Sequence, residues 1–135
     1  MLITLEILKK KEACQAGLDY FQTLDKQEWE VMELVERVHK DKKNFSEWLF
    51  IKFKLTGLCK VFYDSSEAWH EVDYSDGKRH GLCKGFDESG QVKYECSYED
   101  HKLHGFSTLF YRNAQFKWKS LYENNVLISE QPVFD

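Results

Sequence analysis

The spacing of apolar positions changes near residue 57. Before it they recur three or four apart, and after it they alternate with polar ones. Leu5, Leu8, Ala13, Leu18 and Phe21 fit one face of one or two short helices, broken near residues 10–12. Asp25-Lys26-Gln27-Glu28 has the capping-box pattern, a side-chain acceptor followed three positions on by a carboxylate. Trp29, Met32, Val35 and Val38 extend this into a stripe on a helix running to about Lys40. Asn44-Phe45-Ser46-Glu47 offers a second cap, followed by Trp48, Leu49 and Ile51 on a further helix that Thr56-Gly57 stops. Residues 1–56 therefore read as a helical module of about three helices.

From residue 57 the chain repeats itself every 24 residues. Gly57, Gly81 and Gly105 keep this interval, as do Phe62, Phe86 and Phe110, and Tyr74, Tyr98 and Tyr122. Residues 57–80 and 81–104 are identical at eleven of 24 positions, while 105–128 diverges more, as expected of a terminal copy that lacks one neighbour. Each copy reads as a β-hairpin. In the return strands His70, Val72 and Tyr74 point one way, and Trp69, Glu71 and Asp73 the other. The tyrosine-bearing face is expected inside and the charged face in water, with the repeated aromatic slots, Phe62, Phe86 and Phe110 included, facing inward. Residues 129–135 read as a C-terminal tail. The predicted fold is α+β: a helical module (1–56) capping the first edge of an elongated antiparallel β-sheet built from three hairpins, 57–80, 81–104 and 105–128.

The stretch Tyr74-Ser75-Asp76-Gly77-Lys78-Arg79-His80-Gly81 resembles the MORN repeat in its bacterial, antitoxin-like variant. Residues 86–93 and 98–105 resemble the next unit. His101 and Asn125 stand where the repeat has a turn glycine, and Ala114 stands where Gly90 would predict one. The resemblance implies successive antiparallel hairpins used for protein or lipid contact. Ala13-Cys14-Gln15-Ala16-Gly17-Leu18, with Trp48-Leu49, is similar to helical modules that precede some phage- and plasmid-borne repeat proteins.

Composition narrows the function. The chain has 135 residues, 42% of them hydrophobic, with one proline and a formal net charge of -4. Residues 1–56 carry ten basic and ten acidic side chains, so the acidic excess lies wholly in the repeats, which disfavours direct nucleic-acid binding. No apolar run reaches the roughly 18 residues of a membrane-spanning helix, and the first residues lack signal-peptide character, so a cytoplasmic location is expected. Cys14, Cys59, Cys83 and Cys96 read as reduced thiols used as small hydrophobes. His80 and His104 recur at one repeat position and His101 lies beside the second, so they read as turn residues rather than metal ligands. A Cys83–His80 nucleophile pair is weakened because Cys59 repeats Cys83. No catalytic activity, metal or cofactor is expected.

Binding is the remaining expectation. The candidate contact residues are Asp64, Glu67, Trp69, Glu71, Asp73, Lys93, Glu95, Lys117 and Lys119, with Trp69 as an exposed aromatic anchor. Acidic side chains from 64 to 76 would complement a basic groove. With the front-module resemblance, this points to a mobile-element inhibitor that blocks a host complex, for example a nucleic-acid-targeting defence system such as CRISPR. The alternatives are an antitoxin masking a partner toxin and a lipid-surface adaptor, the latter disfavoured by the acidic excess. The partner is thus expected to be a protein rather than nucleic acid or membrane. Homodimerisation through the C-terminal sheet edge, Val126-Leu127-Ile128 and Pro132-Val133-Phe134, is a further expectation.

Overall fold

The computed structural model describes residues 1–63, 67–110 and 116–134. The front of the chain comprises β1 (Leu2–Ile3), α1 (Leu5–Lys10), α2 (Gln15–Gln22), β2 (Trp29–Glu30), α3 (Val31–Lys40) and α4 (Ser46–Lys52). There are thus four short helices, the first segment being divided between α1 and α2 at the break expected near residues 10–12. Three of them stop in one way. Glu12, Lys42 and Lys54 adopt positive φ (65°, 53° and 51°), and the following N–H bonds back, Ala13 to the Leu8 carbonyl, Lys43 to Val38 and Leu55 to Phe50. This closure satisfies carbonyls that a helix end leaves open, here without glycine.

The capping box at residues 25–28 does not begin a helix. Trp29 and Glu30 pair instead with Ile3 and Leu2, and α3 starts at Val31. Trp29 is buried and its indole N–H donates to the Lys26 carbonyl (3.2 Å), so tertiary packing overrides the local helix signal. The buried stripe of α3 runs through Leu34, Val35 and Val38, leaving Met32 exposed.

Seven strands then form one antiparallel path: β3 (Gly57–Phe62), β4 (Trp69–Ser75), β5 (Lys78–Phe86), β6 (Val92–Glu99), β8 (Gly105–Phe110), β9 (Phe116–Glu123) and β10 (Val126–Phe134). A short β7 (Lys102–Leu103) pairs with the end of β6. The stretch read as a tail lies largely within β10, which pairs with β9. The helices pack on one face. Cys59, Val61, Val72, Tyr74, Cys83 and Cys96 join Leu49 and Phe50 in a single core, with the Phe50 and Tyr74 rings 5.1 Å apart.

The repeat has a hydrogen-bonding basis. Asp76-Gly77, Asp100-His101 and Asn124-Asn125 each take positive φ at both positions, the geometry of a two-residue turn that matches strand twist. The first turn N–H donates to Thr56 Oγ1, His80 Nδ1 and His104 Nδ1 respectively (2.9, 3.4 and 3.4 Å). The second donates to the carbonyls of Leu55, Arg79 and Leu103. His80 and His104 therefore cap turns, and His101 and Asn125 keep the turn geometry without glycine. Gly57, Gly81 and Gly105 lie beside these caps at φ 141°, 103° and 101°, which explains why glycine recurs there.

Two expectations change. Phe62, Phe86 and Phe110 lie on the helix-free face, not inward, because Phe62 and Phe86 both pair with Trp69, and Phe110 pairs with Lys117. Cys14 is exposed, so only Cys59, Cys83 and Cys96 serve as buried apolar groups. Ala114 lies outside the described residues.

Candidate interaction face

The helix-free face is organised as rows that cross the strands. One row is aromatic: Trp69 stacks between Phe86 (ring centroids 4.7 Å apart) and Phe62 (6.0 Å), and its indole N–H donates to Glu71 Oε1 (3.3 Å). Both faces of the Trp69 ring are therefore occupied, and it is half-buried rather than a free anchor. The next row follows the register Lys60–Glu71–Lys84–Glu95–Thr108–Lys119. Opposite charges alternate from Lys60 to Glu95, an arrangement that stabilises adjacent strands and offsets the acidity predicted there. Lys60 lies 4.0 Å from Glu71.

The candidate residues distribute unevenly. Trp69, Glu71, Asp73, Glu95, Lys117 and Lys119 share the helix-free face. Lys93 sits at the β5–β6 irregularity, 3.5 Å from Asp87. Hydrogen bonds from the Ser89 side chain and the Gln91 and Ser89 backbone, with Lys93 nearby, pull the Asp87 carboxyl down to about 2. Glu67 turns to the helical module and pairs with Lys42 (3.3 Å). Asp64 lies outside the described residues. The Lys117 and Lys119 ammonium groups lie over the Phe110 and Phe106 rings, 5.6 and 4.4 Å from their centroids.

A third row escaped the sequence reading. Leu58, Leu82 and Phe106 occupy the second position of successive copies, on the same face, and are 45%, 43% and 56% exposed. Their interval of 24 is the signal in the sequence that marks them. Burial pushes the Cys59 thiol up to about 12, and the hydrogen bond between Cys83 and Cys96 raises Cys83, together with burial, and lowers Cys96.

One hairpin matches a known repeat. Residues 79–100 match the MORN repeat variant. The match spans most of β5, all of β6 and the first residue of the following turn, so this hairpin is MORN-like, and those before and after it share its 24-residue interval and turn caps. No curated protein matches the chain. MORN repeats are generally protein- or membrane-binding modules, consistent with a non-catalytic binding role.

Proposed function

We propose that this protein is a non-catalytic binding module that engages a protein partner through the helix-free face of its MORN-like sheet. The observation that carries the reading is the repeated, exposed row Leu58, Leu82 and Phe106, because apolar side chains held outward at one slot of every copy cost solubility and give the fold little. Charges interleave beside that row, so a partner meets an apolar track bordered by both signs rather than an acidic surface. In its finer form the reading is a mobile-element protein that blocks a host complex, or an antitoxin covering its toxin, since either role needs only steric occupation.

The test is capture from source-cell lysate with tagged wild-type chain and the Leu82→Glu, Phe106→Glu double variant. A stoichiometric protein retained by wild type and lost by the folded variant is expected. Retention by the variant, or binding to anionic vesicles in place of a protein, contradicts the reading. The exposed residues of β10 support a second contact, strand addition by another copy of the chain, which light scattering of the purified protein detects as a dimer.

A further inference from the structure

The helical module encloses a half-open cavity of about 350 Å³, within the size range of small-molecule sites. Its wall comes from all four helices and from the segments joining α1 to α2 and α3 to α4. Leu8, Phe21, Val38 and Leu49 form the floor, and the rings of Tyr20, Phe45 and Trp48 also line the space. The cavity lies apart from the sheet face described above.

Two features show that this space is built. The first is Gly17, in the first turn of α2, whose φ is not positive and whose backbone does not require glycine. A Cβ there would make ordinary contacts with Cys14 Sγ (3.6 Å) and Phe45 Cδ1 (3.7 Å), so neither strain nor crowding excludes alanine. Glycine is a poorer helix former than alanine, and here its visible consequence is room against the Phe45 ring. The second is electrostatic. Glu12 is the one charged residue on the cavity wall among the described residues, and the depression that adjoins it is lined by Asp19, Asp41 and Lys43. Asp41 is held in place by the Tyr20 hydroxyl (2.8 Å) and Arg37 Nε (3.0 Å).

An apolar chamber with aromatic walls and one carboxylate, Glu12, on its lining selects a ligand with matching parts. We propose that the helical module binds a small arylalkylamine, its ring among Tyr20, Phe45 and Trp48 and its ammonium group toward Glu12. A carboxylate-bearing analogue would meet like charge at the same place, and a neutral one would forgo the ion pair.

The test is isothermal titration of the full chain with tryptamine, 3-methylindole and indole-3-propionate, accompanied by the variants Gly17→Leu and Glu12→Gln. Tryptamine is expected to bind at one site, at least tenfold tighter than indole-3-propionate. Glu12→Gln should bring tryptamine to the level of 3-methylindole. Gly17→Leu should abolish binding while leaving the far-ultraviolet circular dichroism unchanged. Gly17→Ala, a smaller filling, should raise the melting temperature and weaken tryptamine, separating loss of space from loss of fold. No heat from wild type at millimolar tryptamine, or undiminished binding by a folded Gly17→Leu, overturns the site. Equal affinity for tryptamine and 3-methylindole overturns the amine assignment.

Discussion

At the β3 edge of the sheet, the outward backbone of Lys60 is met by the helical module: its N–H donates to His39 Nε2 (3.1 Å) and its carbonyl accepts from the buried Ser46 hydroxyl, which also accepts from the Cys59 thiol. At the β10 edge, residues 126–132 are exposed, and no further strand pairs there among the described residues. The same repeat thus ends in two ways. Strand edges left open invite pairing, and the contrast shows that the helices stabilise one side of a ribbon that cannot terminate itself. The last turn shows a related difference. In the earlier copies two residues, ending in the positive-φ glycine, are accommodated between Tyr74↔Arg79 and Val72↔Cys83, whereas β10 accommodates only Ile128. With Ser129 in the glycine slot the register slips by one, so Phe134 falls opposite position 116 while Phe110 falls opposite Lys117, and Phe134 and Phe110 face opposite ways.

The largest expected effect comes from the junction itself. Phe50 is fully buried against Tyr74, so Phe50→Ala should cost about 3–5 kcal/mol in urea unfolding, whereas Ile128→Ala, at the exposed edge, should cost under about 1 kcal/mol. Comparable losses would remove the distinction between the two ends. Ser46→Ala is next: it strips the Lys60 carbonyl of its buried donor, at about 1–3 kcal/mol, against roughly 0.5 kcal/mol or less for Glu130→Ala.

Much of this contrast was legible in the sequence, for identifiable reasons. The 24-residue interval is carried by glycines that need positive φ and by turn pairs whose chemistry is local, so the hairpins, their turns and the parity of the return strands followed from residue type, whereas the facing of Phe62, Phe86 and Phe110 did not. The charged residues of the helix-free face were found by the same parity. Other features depend on neighbours distant in the chain. Trp29 left its expected helix because Ile3 offered a strand partner, and Trp69 lost its role as an anchor because Phe62 and Phe86 cover it. The acidic zone was offset by Lys60 and Lys84, whose register with Glu71 no single strand reveals. Glu67 points to the helices for a similar reason, through Lys42.

Acid should loosen the β3 edge selectively. His39 must keep Nε2 unprotonated to accept from Lys60, and burial, aided by the Lys60 charge, holds its pKa below the ordinary 6.5. The unfolded chain therefore takes up the proton first, so stability present above pH 6.5 declines as pH falls through the lower, folded value. The urea midpoint should drop between pH 7.5 and 5.5, and His39→Gln should shallow that drop. Because burial also lowers His70, part of the slope should survive. A pH dependence unchanged by His39→Gln would detach the histidine from the edge. The smallest effect tests the helix ends: Lys42→Gly, relieving a positive φ of 53°, should raise stability by up to about 1 kcal/mol.

Native-state hydrogen exchange on the intact chain tests the two-edge account most directly, because it reads each backbone N–H separately. The Lys60 amide should exchange only on global unfolding, with the core amides of β4 and β5, while the β10 amides directed away from β9 exchange far faster. Equal protection at both edges, or rapid exchange at Lys60, would contradict it.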